Sequence, residues 1–202
     1  MKMSTSKDVA KNGKCIYLYV IEKKSIKDYV DISMPKPYTG SIRDESKMGY
    51  TVLAKALLNR FGITYQPEEI SVAQKGKPYI NNHTIHFNLS NCRDYIACAI
   101  ANEEVGVDIE HARPIKPKLL EKILTPQEIK DAVDPLRAWV IKEAYSKFLG
   151  SGIGLGFAKL SAESLQGKYP NILLDEESFI CSLFYVNPDT HVQLQYTLGG
   201  DN

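Results

Sequence analysis

The sequence predicts an α+β chain built from two similarly ordered halves, and three observations carry that expectation. Short β-branched and aromatic runs, of which residues 15–21 (CIYLYVI) are the first, are too short for a helix and read as buried strands. Two longer stretches repeat apolar residues at three- and four-residue steps, the spacing of a helix that buries one stripe. They are Val52, Leu53, Ala56, Leu57 and Phe61 in the first half, and Leu136, Trp139, Val140, Ala144 and Phe148 in the second. Each half then runs strands, a long helix and more strands, with a break near Ala101 to Glu104, although no residue-level repeat accompanies that order. The expected divisions are a disordered polar tail over 1–14, an N-terminal half over 15–101 and a C-terminal half over 102–202.

Taken in order, residues 42–61 are expected to form the first long helix. Arg43, Lys47 and Thr51 step by four along a face other than the apolar one, which by itself reads as a solvated surface. Residues 69–74 read as a short strand, and Lys75-Gly76-Lys77-Pro78 as a turn whose glycine permits close backbone approach between two lysines. Asn81-Asn82 is a further turn. Residues 86–89 read as a strand ending at Ser90-Asn91, whose side chains suit a helix cap or a nest of backbone N–H groups able to hold an anion. Residues 94–101 (DYIACAIA) and 105–110 read as strands joined in a hairpin by Asn102-Glu103-Glu104. Thr125-Pro126-Gln127-Glu128 is a capping box with proline at the first helical position, Asp134-Pro135 opens the second long helix, and Gly150 stands where its left-handed cap is expected. The glycine-rich segment 151–156 follows a helix and does not precede one, so it licenses neither a dinucleotide nor a P-loop reading and is taken as a flexible loop. Residues 157–163, 178–186 and 192–198 finish the chain as strands, the last two as a hairpin turned at Asn187-Pro188-Asp189.

Composition narrows the function. At 202 residues and 44% hydrophobic, the chain suffices for one sizeable core or two smaller ones. A net charge of +1 with basic residues spread along the chain leaves no electrostatic footprint for duplex nucleic acid. Cys15, Cys92, Cys98 and Cys181 form no C-x-x-C pair and no zinc-ligand spacing with the four histidines, which fits a reducing compartment. No segment approaches the roughly 18 unbroken apolar residues of a membrane span, and the start lacks an apolar signal core. The expectation is a cytoplasmic protein without membrane or nucleic-acid partners.

The candidate chemistry lies in Gly106-Val107-Asp108-Ile109-Glu110. In a strand, side chains two apart share a face, so Asp108 and Glu110 project together while Val107 and Ile109 face a core. Two carboxylates in one small volume repel unless a proton or cation lies between them, and Mg²⁺ needs only a few protein carboxylates beside its water and a phosphate ligand. Alone, an Asp-x-Glu strand end is an ordinary solvated one. Glu143 and Lys147 are four apart on the second long helix, where the plain reading is a surface ion pair.

The blocks together say more. Val105-Gly106-Val107-Asp108-Ile109-Glu110, followed by Trp139-Val140-Ile141-Lys142-Glu143-Ala144-Tyr145-Ser146-Lys147, resembles the paired signatures of the 4'-phosphopantetheinyl transferase superfamily. Arg43-Asp44, Gly76-Lys77-Pro78 and Phe87-Asn88-Leu89-Ser90 are similar to its upstream features, in order and at similar spacing over about half the chain. The resemblance points to the larger monomeric branch, in which two similar α+β halves, each a small antiparallel sheet packed with a long helix, form a pseudo-twofold arrangement with the substrate at their junction. It implies transfer of the 4'-phosphopantetheine arm from coenzyme A to a serine of an apo acyl or peptidyl carrier protein, with release of adenosine 3',5'-bisphosphate. It further implies Mg²⁺ on Asp108, Glu110 and Glu143, with Glu143 as ligand, general base or both, and Lys147 facing the pyrophosphate as a point charge. Arg43, Lys77, Ser90 and Asn91 would hold the nucleotide end of coenzyme A, with Thr51 and Lys75 as further candidates and Asp108 near the same group. Asn91 departs from the family pattern, which commonly has histidine there. That departure motivates a rival expectation, a coenzyme A binding module without turnover. A third, a Mg²⁺-dependent phosphohydrolase, would use water in place of the carrier serine.

Overall fold

The computed structural model describes residues 15–26, 34, 44–81, 83–152 and 156–197. The expected tail over 1–14, the helix entry at Ile42-Arg43, the second half of the Asn81-Asn82 turn and the centre of the glycine-rich segment lie outside the described residues.

Alternation along the strands sets the architecture. In β1 (Cys15–Glu22), Cys15, Tyr17 and Tyr19 pack with Tyr50, Val52, Leu53, Ala56 and Leu57 of the first long helix, α1 (Asp44–Phe61). The intervening Ile16, Leu18 and Val20 pack instead against a second sheet. After α1 the chain forms two short strands, β2 (Ile70–Val72) and β3 (Pro78–Ile80), which pair with each other, and then β4 (His86–Asn91). In β5 (Tyr95–Ala101) every residue is buried: Ile96, Cys98 and Ile100 face the helix, while Ala97, Ala99 and Ala101 face the other sheet. The small side chains on the inner face let the two sheets approach closely, and burial on both faces explains the unbroken apolar run.

The second sheet begins with β6 (Val105–His111). Two short helices, α2 (Leu120–Ile123) and α3 (Pro126–Lys130), precede the second long helix, α4 (Pro135–Leu149). A helix α5 (Ala162–Lys168) then leads to β7 (Asn171–Asp175), β8 (Phe179–Tyr185) and β9 (His191–Thr197). The first sheet has the order β4-β5-β1-β9 and the second β6-β8-β7. Neighbouring strands are antiparallel except β1 and β9, which run parallel. The sheets meet through Val105, Val107, Ile109, Phe179, Cys181, Leu183 and Tyr185 on one side and the inner faces of β1 and β5 on the other. α1 covers the outer face of the first sheet, and α4 covers the outer face of the second, where Ala144 meets Phe184 and Leu136 and Val140 meet Ile180. Two small sheets, each packed against helices, thus confirm the expected two-part α+β fold.

Several local expectations are corrected. β5 and β6 do not form a hairpin, because the turn between them carries the chain from one sheet to the other. Nor do β8 and β9: β8 lies between β6 and β7, while β9 crosses back to lie beside β1. Glu103 secures that crossing, its Oε1 accepting from Asn187 N–H at 3.2 Å and from the Thr190 hydroxyl at 3.1 Å. Residues 157–163 are a 3₁₀ turn and the start of α5 rather than a strand, since the Ser161 hydroxyl accepts from Ser164 N–H and caps a helix. Ser90 and Asn91 belong to β4 itself and cap no helix. The stop and start signals of the second half hold. Thr125 and Glu128 form both bonds of the capping box, Asp134 accepts from Leu136 and Arg137 N–H groups, and Gly150 ends α4 at φ 63°.

Lys142, on α4, is fully buried. Its Nζ donates to Glu128 Oε2 at 2.6 Å and to Ile123 O at 2.8 Å, while the other Glu128 oxygen accepts from Ala162 N–H at 2.8 Å. One ion pair therefore ties α2, α3 and α5 to α4. Burial alone would raise the Glu128 carboxyl, but the Lys142 ammonium and the Ala162 and Thr125 N–H groups outweigh it and hold it below the usual range.

α4 reaches β6 because residue 106 has no side chain. A Cβ there would overlap Phe148 N, Ala144 O and Phe148 Cα, all helix backbone that cannot swing aside. The expected outcome of Gly106→Ala is a loss of about 3 kcal/mol. For a chain of this size that lowers the melting temperature by about 6–12 °C, measurable by calorimetry.

Candidate active site

The edge of each sheet supplies part of one site. β6 and β4 are edge strands of their sheets, and they meet side by side. Alternation turns Asn88 and Ser90 of β4 toward β6, where they serve as its missing strand partner: Asn88 Oδ1 accepts from Val107 N–H at 2.9 Å, and Ser90 Oγ accepts from Ile109 N–H at 3.3 Å. The Ser90 hydroxyl donates in turn to Asp108 Oδ1 at 2.8 Å. Unpaired edge groups that would otherwise be buried without partners are satisfied by side chains of the other half.

On the opposite flank of β6, Gly106, Asp108 and Glu110 face α4. With the helix seated on Gly106, the Lys147 ammonium donates to Asp108 Oδ1 at 2.7 Å and to Ser90 Oγ at 2.8 Å. Lys147 therefore does not form the helix-surface pair with Glu143 that a spacing of four suggests, but binds across to the strand. Asp108 is only 6% exposed, and its second oxygen, Oδ2, is buried with no hydrogen-bond partner among the described residues. One carboxylate oxygen is saturated and the other is unsatisfied.

Glu143 lies one helical turn before Lys147. Burial, then the negative charge of Asp108 and more weakly that of Glu110, pushes its carboxyl up to about 6 against the opposing pull of Lys147. The three carboxylates thus feel one another. They do not form a ready-made cage, because among the described residues no three His, Cys, Asp or Glu side chains are gathered so as to hold a metal ion. Glu110 is turned partly toward Arg113, 3.4 Å away.

A cleft of about 230 Å³ opens beside this cluster, lined by Lys75, Gly76, Lys77, Lys147 and Gly150 among others. A second hollow of about 160 Å³, lined by Glu45, Tyr50, Ser90 and Asn91, shares Pro78, Asn88 and Leu89 with it. The two form one groove across β4. Lys75 is exposed on its rim. Lys77 is committed elsewhere: its Nζ donates to Glu104 Oε2 at 2.6 Å, Val105 O at 3.0 Å and Phe148 O at 3.1 Å, bracing the end of α4 to the start of β6. Ser90 and Asn91, adjacent in sequence, face opposite sides of β4, with Asn91 exposed toward the α1 side.

Thr51 is not brought to this groove. It is 2% exposed, its hydroxyl donates to Lys47 O at 3.0 Å, and it lines a separate hollow with Tyr19 and Arg60. Arg43 lies outside the described residues. Sequence reasoning missed Asn88, although its place two residues before Ser90 on a strand was the available signal. It also missed Lys142, whose burial nothing in its helix pattern announced.

The raised Glu143 carboxyl has a stability consequence. The folded state holds a proton that the unfolded chain releases near its ordinary value of 4.5, so this contribution is complete below about 4.5 and is lost as pH rises through about 6. Glu143→Gln is therefore expected to raise stability at pH 7 to 8 by an amount on the order of 1–2 kcal/mol. The gain should vanish by pH 4, and thermal melts across that range measure it.

Comparison with known proteins agrees with this arrangement. The sequence profile described as the 4'-phosphopantetheinyl transferase superfamily matches residues 104–197, which hold β6 with Asp108 and Glu110 and α4 with Glu143 and Lys147. The 4'-phosphopantetheinyl transferase psf-1 of Bacillus pumilus is 28% identical over 116 residues, covering 52% of this chain and 50% of that protein. The 4'-phosphopantetheinyl transferase gsp of Aneurinibacillus migulanus is 29% identical over 117 residues, 54% of this chain and 49% of the relative. A 4'-phosphopantetheinyl transferase of Bacillus subtilis is 25% identical over 157 residues, 73% of this chain and 70% of the relative. The chain spans about half the length of the first two relatives. The profile falls on the strand and helix that build the carboxylate cluster, and over that part the chain is similar to the 4'-phosphopantetheinyl transferase superfamily.

Proposed function

We propose that this chain transfers the 4'-phosphopantetheine arm of coenzyme A to a serine hydroxyl of an apo acyl or peptidyl carrier protein, releasing adenosine 3',5'-bisphosphate. The observation that supports it most is the state of Asp108, whose one oxygen is held by Ser90 and by Lys147, itself part of the wall of the lysine-lined groove, while its other is buried and unpaired. A buried acceptor without a donor is costly unless something positive arrives to meet it.

The donor set fits Mg²⁺. It consists of hard carboxylate oxygens, and Mg²⁺ is commonly bound by one or two carboxylates with substrate phosphate and water completing the shell. Asp108 with Glu110 and Glu143 would hold it, and when bound it supplies positive charge against the pyrophosphate. The chain's own residues supply the remainder. With a carboxyl raised to about 6, Glu143 is largely ionised at neutral pH yet basic enough to accept the serine proton. As the serine oxygen bonds to the pantetheine-side phosphorus, the bond from that phosphorus to the bridging oxygen breaks, and the electron pair leaves with the nucleotide bisphosphate. Lys147 opposes the charge that accumulates there.

For the nucleotide end, Lys75, Ser90 and Asn91 line the groove, with Lys77 behind them as a brace and Arg43 a further candidate outside the described residues. Thr51 has no place in this reading. The carrier would meet the surface near Lys118, Leu119, Leu120 and Lys122, where both lysines are exposed and the two leucines half-buried, a fit for acidic carrier helices. A cytoplasmic monomer suits the reading, since both halves of one chain build the junction. No described helix is long and apolar enough to cross a membrane.

A second reading, coenzyme A binding without turnover, is favoured by the lack of three gathered carboxylates among the described residues. Intact-mass measurement separates the two. With coenzyme A, Mg²⁺ and a panel of apo carriers, transfer adds roughly 340 Da to a carrier, the mass of the arm in the proposed reaction. Binding alone gives a calorimetric signal with coenzyme A and no mass gain. Lys147→Ala should slow the transfer by a factor on the order of 100. Asn91→His tests the groove: relative to that of the parent at each pH, the coenzyme A KM of the variant should fall as pH drops through about 6.5, where imidazole gains its charge.

A further inference from the structure

Ser182 of β8 stands directly opposite Asp108 of β6 in the antiparallel register. Residues paired in this way project to the same face, with Cβ atoms about 4.5–5.5 Å apart. Here that face lies under α4. The neighbours of Ser182 in the same row, Ile180 and Phe184, are apolar and fully packed beneath the helix. Ser182 is the polar member of the row. It is 0% exposed, and its hydroxyl, like Asp108 Oδ2, has no hydrogen-bond partner among the described residues.

Two unsatisfied buried atoms, one a donor and the other an acceptor, thus sit on facing residues of adjacent strands. Alanine would fill the same slot without desolvating a hydroxyl. Resting on the reading of Asp108 as a metal ligand, we infer that Ser182 is a positioning residue whose hydroxyl donates to Asp108 Oδ2. Across that Cβ spacing, rotation of Ser182 about its own side-chain torsion brings its hydroxyl toward the facing carboxylate. With Oδ1 fixed by Lys147 and Ser90, a donor on Oδ2 stops the carboxylate from turning and would leave that oxygen's second lone pair free for a divalent ion. Outer groups of this kind orient ligating carboxylates.

The test is Mn²⁺ binding followed by electron paramagnetic resonance in the presence of coenzyme A, on the full chain and on Ser182→Ala and Ser182→Thr, with melting curves alongside. The expected result is that Ser182→Ala weakens Mn²⁺ binding about tenfold, with an undiminished melting temperature, and that Ser182→Thr, which keeps the hydroxyl, recovers most of the affinity. Parent-like Mn²⁺ affinity in Ser182→Ala, with a higher melting temperature, would mark the hydroxyl as a mere buried defect and overturn the inference alone. A threonine variant as weak as the alanine one would also overturn it, since volume and not the hydroxyl would then be at issue. A parent protein that takes up no Mn²⁺ would overturn the metal reading of Asp108 and this inference together.

Discussion

The contact on which the site depends is backbone against backbone, where α4 settles onto β6 at Gly106. A side chain at that position would hold the helix away, and the Lys147 ammonium would no longer lie 2.7 Å from Asp108. That separation matters because Asp108 is almost wholly buried, and an ionised carboxylate out of water needs a close cation or several donors. Packing and electrostatics here are one constraint. The missing Cβ sets the helix height, and the helix height sets the charge balance of the strand.

The same economy governs the junction of the halves. Edge strands are sticky, and this chain uses two of its edges to bind each other through the Asn88 and Ser90 side chains. Ser90 is both strand partner and site residue, so movement of the halves apart would loosen Asp108 at once. α4 is fixed from the far side by the buried Lys142–Glu128 pair and at its C-terminal end by Lys77, which donates to Phe148 O. A cation near a helix C-terminus also complements the helix dipole. Removing either partner of the Lys142–Glu128 pair would leave the other buried without its counter-charge, which is how a buried ion pair enforces one arrangement even where it adds little net stability.

Much of this was legible beforehand, and the reason differs by element. The period-two placement of Asp108 and Glu110, the caps at Thr125, Asp134 and Gly150, and the stripes of both long helices are local patterns, and local physics fixes them. The destination of β9 is not local. Its residues alternate as any strand's do, and nothing in them distinguishes a hairpin with β8 from a return to β1. The hairpin expected between β5 and β6 failed for the same reason: the apolar face of β6 wanted a core, and that core was the inner face of the first sheet, not a strand beside β5. Thr51 was a candidate only through the family resemblance, the spacing of its polar row by itself reading as a solvated surface. Yet a residue two turns further along a helix that lies across a sheet drifts toward the core, and Thr51 is buried on the wrong side.

Glu143 shows how charge and burial divide labour in a cluster that lacks a preformed cage. Its rise comes first from burial, with Asp108 and Glu110 adding to it and Lys147 working against it. An anionic phosphate drawn to Lys147 would spend part of that opposing pull and add its own negative charge, so anion entry by itself drives Glu143 toward its protonated form. Positive charge held at Asp108 would act in the other direction and favour the ionised form of Glu143. In the proposed reaction the two arrivals would therefore pull the Glu143 carboxyl in opposite directions.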